Sequence, residues 1–545
     1  MAVGYDRGMS EEDALLKAVI ADAGDDTPRL VYADWLDEHD APIQAEFIRT
    51  QCRLASCSIA DPEYPELLER AAEVELRFGL ALRLTAPQLP SGFKHEREFR
   101  RGFPHFAVAD WEVDPVPHHE GRVPPGNEQV DRVCAALPDL VANTTVRHLA
   151  LQRMTPDVLA RVLAEPAARV LTGLTVSPVE PDAEGGDALI RVIGRSPVVA
   201  NLEHLDLATP STVAGLAALN ANPDRFRTLD LPALSGRRED IPALARAAWF
   251  RGLRDVFMRR VERPLQGPLL VALAGAPRLE SLTVWHLQPT ALKALGSATG
   301  FPELARLTFE FCDDTGRIAA RLAGGRFPRL ADLTISGLDD DTFAPLLGAR
   351  WFPQLHTFDS SGGSLTDASA AALSKSPAAP RLRVLKVWGN WFTKAGLAAL
   401  GNGARFPALA ALTLDLSVGD TRVRPDALAR FAAGLSLSRL RYLDLGGWPL
   451  GDAGAKALAA NPHLANVTRL RLAGCGIGDR GLTALARSRH LQGLLELSVY
   501  NNTLKKAAAL LVPDRLPRLA ALNLDVNPIR PADRAALHRA RGWLV

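Results

Sequence analysis

The chain has 545 residues, with 63 Lys+Arg against 62 Asp+Glu, a net charge of +1, and 47% hydrophobic residues. That length exceeds one compact domain and implies several domains or a repeat array, and the neutral balance argues against a protein built to coat nucleic acid or an anionic membrane. No apolar run reaches the roughly 20 residues of a bilayer span, no apolar signal core opens the chain, and five Cys in this length point to a reducing cytoplasm rather than a disulfide framework.

In chain order, Met9-Ser10-Glu11 reads as a natural start, with residues 1–8 as an extension. Residues 10–57 are predicted to be helical. Glu11–Ile20 carries Ala14, Leu15, Ala18 and Val19 on one face. Asp25-Asp26-Thr27-Pro28 is a helix start leading into Arg29–Glu38, and Ala45–Leu54 reads as a third helix. The first fifty residues carry a net charge of −8, from 4 basic and 12 acidic side chains. These helices form the core of an N-terminal domain predicted over residues 1–112. The Pro-rich stretch Asp114–Gly126 reads as a linker or exposed loop, and Glu128–Leu137 as a helix covering the first end of a stacked array. Linker and capping helix together take up residues 113–145.

Residues 146–545 are organised by a repeat. The pattern L-x-x-L-x-L occurs fifteen times, first at Val146 and last at Leu519, with a mean period of about 27 residues. The copy at Leu355 is degraded, since Ser360 takes its third apolar place. The alternation marks a short strand whose Leu side chains point inward while their neighbours point outward. An Ala/Leu-rich helical segment comes after each strand, as at Asp157–Leu163, Ala455–Ala459 and Gly481–Ala486. Helix starts such as Thr155-Pro156 and Thr366-Asp367 and breakers such as Phe327-Pro328 punctuate the array. One such unit cannot bury its apolar face alone, so the copies must stack. Pro531–Ala540 is a polar helix able to close the stack, with Arg534, His538, Arg539 and Arg541 suited to an outer face.

The repeat resembles the leucine-rich repeat family, and its helical return resembles the ribonuclease-inhibitor-like subclass. The resemblance implies an α/β solenoid, a horseshoe with a parallel concave sheet and helices on the convex side, preceded by a small, mainly helical N-terminal domain. It also implies that the residue eight after each first Leu is an Asn or Cys bonded to buried turn backbone. Here Cys312, Asn390, Cys475, Asn502 and Asn527 hold that place. Met154, Leu234, Leu287 and Trp448 occupy it in other copies, so the ladder is expected to be best formed in the C-terminal half. The string containing Asp26, Thr27, Pro28, Arg29, Tyr32, Asp34, Trp35, Glu46, Phe47, Arg49 and Gln51 resembles the bacterial repeat-companion domain. Glu98–Phe103 resembles that family's downstream extension. The resemblance implies a bacterial source; it carries no implication about biochemical activity, because that family is defined by sequence.

No metal, nucleotide or catalytic motif stands out. Zinc spacings, H-E-x-x-H, the phosphate-binding Gly-rich loop and the nucleophile elbow are all missing. Cys52 and Cys57 read as helix packing, His118-His119-Glu120 as a loop triplet, and Asp34, Asp37, Glu38 and Asp40 as a solvated acidic face. We therefore assign no catalytic, metal or cofactor residue and expect no cofactor and no enzyme activity.

The chemistry that remains lies on the strands. Positions two, four and six after each first Leu face the concave side, giving 45 places of which five are basic and ten acidic. Such a surface disfavours phosphate backbones and favours a protein or peptide partner of basic or mixed charge. Five of the places are aromatic: Phe257, Trp285, Trp388, Tyr442 and Tyr500. Rigidly presented Trp, Tyr and Arg are typical interface anchors. The expected partner-binding residues are Trp285, Lys386, Trp388, Asp415, Tyr442, Asp444, Arg469, Arg471 and Tyr500. The function expected is a cytoplasmic, non-enzymatic protein-interaction scaffold without a membrane segment. Two alternatives are an enzyme or regulatory module in the N-terminal domain, around Arg29, Tyr32, Asp34 and Glu46, and weak nucleic-acid association through a basic exterior. Residues 1–112 sum to −10, so this acidic module is expected to dock on that exterior.

Overall fold

A computed structural model describes residues 10–541 apart from 86–88, 96–98, 102, 110–123, 232, 289–290, 292–299, 416–422 and 513. The start at Met9, Glu98, most of the Pro-rich stretch and His118-His119-Glu120 lie outside the described residues, as do the side chains of His538 and Arg541. The chain divides into two compact units. The first holds Met1–Cys57, Phe78–His286 and Phe301–Leu304, and the second holds Ser58–Arg77, Leu287–Gly300 and Ala305–Val545.

In the first unit, α1 (Glu11–Ala21), α2 (Thr27–Glu38) and α3 (Pro42–Ser56) match the three predicted helices to within a few residues. Ser10 and Asp13 form a reciprocal cap at the start of α1. Val19, Tyr32, Ala33, Leu36, Ala45, Ile48 and Cys52 bury together with Phe103, which ties the helices to the short strands beyond them. Strand Phe106–Ala109 pairs in parallel with the first repeat strand, His148–Met154, and antiparallel with Phe93–His95, so the sheet begins two strands earlier than the repeat does. Helix Asn127–Asn143 lies where the capping helix was predicted. The repeat strands then pair in parallel, in chain order, to Ser281–Trp285. An added pair, Pro210–Thr212 with Ala233–Ser235, interrupts the plain repeat here.

In the second unit, nine strands from Arg306–Glu310 to Ala521–Asn523 pair in parallel and in sequence order. Leu385, Leu412, Leu443, Leu470, Leu497 and Leu522 are direct register partners, all at most 6% exposed. Each fully buried Leu contributes on the order of 2 kcal/mol, and the column fixes register because a one-residue slip would turn every Leu outward. Successive repeat helices pack side by side along the sheet. Each of the fifteen repeat strands begins two residues after the first Leu of its copy, so the predicted period and phase both hold.

Side-chain ladders lock the turns. Asn390 donates to the carbonyls of Ser360, Val387 and Trp388 and accepts from the Leu365 amide. Asn502 repeats that pattern on Leu472, Val499, Tyr500 and Ile477. The Cys475 thiol donates to the Leu445 carbonyl at 3.1 Å, and burial raises its pKa. A second ladder has no counterpart in the sequence reading. The first-turn Asp367 accepts from the amides of Thr393 and Gly396, capping the next repeat's helix, and Asp452 does the same for Gly478 and Gly481. One residue before the Asn/Cys position the backbone turns left-handed, at Gly389 (φ 67°), Gly474 (64°), Asn501 (52°) and Val526 (57°).

These ladders and turns set two stability changes. Asn390→Ala leaves buried carbonyls unsatisfied and is expected to cost about 3 kcal/mol. Val526→Asn removes a β-branched residue from the left-handed region, as Asn501 already does one repeat earlier, and is expected to gain about 1 kcal/mol. Urea denaturation midpoints of the full chain should move down for the first variant and up for the second.

Candidate functional site

The open face of the second unit's sheet is built by the residues that alternate with the buried Leu column. Tyr442 and Asp444 flank buried Leu443, and Arg469 and Arg471 flank Leu470. Parallel register sets Tyr442 opposite Arg469 and Asp444 opposite Arg471. The Tyr442 hydroxyl donates to Asp444 at 3.0 Å. Arg469 stacks 4.6 Å from the Tyr442 ring centre and Arg471 5.6 Å from it. Both guanidiniums also donate to Glu496, at 3.1 and 2.7 Å. Burial, with the neighbouring Asp444, pushes the Asp415 carboxyl above its ordinary range, and Asp444 is raised chiefly by burial. Lys386 lies 3.8 Å from Asp359, and Trp388 and Tyr500 stay 39% and 40% exposed. Eight of the nine expected binding residues therefore stand on this one face. Trp285 belongs to the first unit, where Arg259 stacks over it at 5.6 Å.

No feature of the repeat pattern marks what lies against this face. Residues 58–77 of the second unit include the first part of α4 (Tyr64–Thr85), and three glutamates on this segment meet strand cations. Glu66 accepts from Arg383. Glu69 accepts from Arg469 at 3.1 Å, and Glu73 accepts from Arg441 at 2.6 and 2.7 Å. Glu73 is 1% exposed and takes two more bonds, from Thr468 at 2.7 Å and from Arg70 at 3.2 Å. Tyr64 lies under Arg306 at 5.6 Å. A cavity of about 320 Å³ remains between this segment and the strands, lined by Ile59, Tyr64, Leu68, Arg306, Asp332 and His356 among others. For residues 58–77 the expected docking on a basic exterior is thus corrected: they sit on the strand side. Arg383, Arg441 and Thr468 are residues of the candidate face that strand alternation missed. They stand one residue after the first Leu, just before the strand proper, and their side chains still reach the face.

In the first unit, Arg29, Tyr32 and Asp34, the candidate residues for an N-terminal active site, make bonds within the helical domain. Arg29 donates to the carbonyls of Asp22, Ala23 and Asp25. Asp34 and Asp37 both pair with Arg49 at 2.6 Å, and the Tyr32 hydroxyl donates to Glu12 at 3.0 Å. Among the described residues no group of three or more His, Cys, Asp or Glu is arranged to hold a metal ion, and no helix is long and apolar enough to cross a membrane. An open cavity of about 310 Å³ brings Arg100, His105, His148, His204, Asp206 and Asp230 together. Arg100 lies 3.0 Å from His204 and 3.6 Å from Glu203. Burial, reinforced by Arg100, lowers the three histidines to about 2 (His105), about 4 (His148) and about 3 (His204). Burial and neighbouring Asp230 raise Asp206 to about 6.

A parallel sheet of stacked strand–helix units with an Asn/Cys turn ladder defines a solenoid repeat protein. Residues 438–459 and 463–486 match the family model described as Leucine Rich repeat. Two leucine-rich repeats are thus recognised in the second unit. Among solved structures, the chain is similar to an internalin from Listeria monocytogenes at 16% identity and a TM-score of 0.35, covering 75% of this chain and 98% of that one. It is also similar to a chain of the yeast Rad7–Elc1 complex at 16% identity and a TM-score of 0.42, covering 59% of this chain and 81% of that one. No curated protein matches the sequence.

The histidine cluster sets a pH dependence. As the pH falls below about 6.5, the unfolded chain takes up protons that the three folded histidines refuse. Their contribution to stability is present in full above about 6.5 and is lost progressively as the pH drops through about 4, 3 and 2, the folded values of His148, His204 and His105. The carboxyls that burial raises, Asp206 to about 6 and with it Asp230, Asp359, Asp415, Asp444 and Glu69, work in the opposite sense, and the comparison with His204→Gln separates the histidine part from theirs. The urea midpoint of the full chain should fall between pH 7 and pH 5, and His204→Gln should narrow that difference. An unchanged or widened difference in the variant contradicts the assignment.

Proposed function

We propose that the protein is a non-enzymatic interaction scaffold that binds a protein partner on the strand face of its second unit. One observation carries this reading. Parallel register gathers Tyr442, Asp444, Arg469 and Arg471 into a bonded cluster on a sheet that also presents Trp388 and Tyr500 to solvent. Aromatic and Arg side chains held rigid by neighbours lose little entropy on binding and make strong anchors. Trp388 and Lys386 come from one repeat, the cluster from the next repeats along and Tyr500 from beyond it, so a partner lying across the strands would meet several anchors at once. Residues 10–57 serve in this proposal as a structural companion to the array rather than as a catalytic domain. The bonds made by Arg29, Tyr32 and Asp34 support that role.

Capture from native cells with crosslinking, repeated with Trp388→Ala and Tyr442→Ala chains, tests the reading. Each variant should fold and lose about tenfold or more of partner affinity. Undiminished capture by both would place the binding surface elsewhere.

A further inference from the structure

We propose that the strand face of the second unit is a receptor for an acidic amphipathic helix, and that residues 58–77 of the same chain fill it in the isolated protein. This rests on the reading of that face as the binding surface and gives the partner's chemistry. Glu66, Glu69 and Glu73 are spaced i, i+3 and i+7, which puts them on one side of a helix. Each reaches a cation from a different repeat: Arg383, Arg469 and Arg441. Carboxylates from one side of a helix are therefore tied to three repeats of the sheet, with Glu69 reaching one repeat beyond that of Glu73.

The contact has the character of a docked ligand. Three of its ties are ion pairs, and Leu68 remains 41% exposed beside the cavity of about 320 Å³. Continuous core would leave neither. The cation row also explains why the face accepts an acidic helix although the outward strand positions alone carry more acid than base. Asp332 takes Arg306, and Glu496 takes one donor each from Arg469 and Arg471. Arg383 and Arg441, one residue ahead of their strands, stand on the side from which the helix approaches. Where the strand positions alone lead to a partner of basic or mixed charge, this proposal gives one that presents a row of carboxylates and competes with residues 58–77.

The test uses the full-length chain and a fluorescent peptide of residues 58–77. A chain carrying Glu66→Lys, Glu69→Lys and Glu73→Lys should bind the peptide at least about tenfold more tightly than the wild-type chain. Replacing the three Glu of the peptide by Gln should abolish binding. Raising the salt from about 0.05 to about 0.5 M should weaken it steeply, since screening shortens the reach of each pair. Equal binding of the Glu and Gln peptides, or no binding to the opened chain, overturns the proposal. If the triple variant fails to fold, hydrogen exchange of the wild-type chain decides. Exchange within 58–77 that is faster than in strands Tyr442–Asp444 and Arg469–Arg471, and that rises with salt, supports a displaceable helix. Exchange at the strands' rate at every salt overturns it. A native partner that needs Trp388 and Tyr442 while the peptide does not bind would leave the scaffold reading standing and remove this one.

Discussion

The buried column of register-paired leucines is the constraint on which the rest of the molecule depends. Leu385, Leu412, Leu443, Leu470 and Leu497 are each fully buried and directly opposite one another. Because side chains alternate along a strand, fixing this column inward fixes its neighbours outward. Residues some 27 apart in sequence thereby become lateral neighbours about 4.8 Å apart. Tyr442 can stack on Arg469, and Glu496 can bridge Arg469 and Arg471, only under that register. The electrostatics of the face are a consequence of how the core packs.

The turns protect the same register. At Gly389, Gly447, Gly474, Asn501 and Val526 the chain leaves the sheet through a left-handed residue and enters a loop whose carbonyls point inward. Buried carbonyls without partners are costly, and the Asn390 and Asn502 side chains satisfy three each. The Asp ladder does the corresponding work on the helical side. Asp367 and Asp452 are first-turn residues of their own helices and cap the next ones, so each repeat completes the hydrogen bonding of its neighbour. That dependence is why a single repeat has no stable structure alone.

Much of this was legible in the sequence because it is periodic. The strand starts, the inward and outward sides and the three N-terminal helices come from spacing, alternation and helix-start signals, and the Asn/Cys ladder from the resemblance to the leucine-rich repeat family. The parts that were not legible are non-local or sit off the pattern. The pairing of Glu73 with Arg441 joins residues 368 apart, and no local signal marks either. Residues 58–92 carry no repeat, and the long helix within them went unread. Arg383 and Arg441 fall on a position that alternation assigns to neither face, because the strand begins one residue later. The left-handed turn could have been found: Gly389, Gly447 and Gly474 recur at the same place in their copies. The Asp ladder could also have been found, since Asp340 and Asp367, like Asp452 and Asp479, are one period apart.

A charge swap across the contact tests most directly whether packing of the core delivers distant side chains to one wall. Glu73→Arg and Arg441→Glu should each lower the stability of the full chain, because each leaves like charges in a site where Glu73 is 1% exposed. Together they should recover at least about half of the summed loss, a coupling that only residues in contact show. Losses that simply add would mean that Glu73 and Arg441 do not meet, and the strand face would not be the surface described.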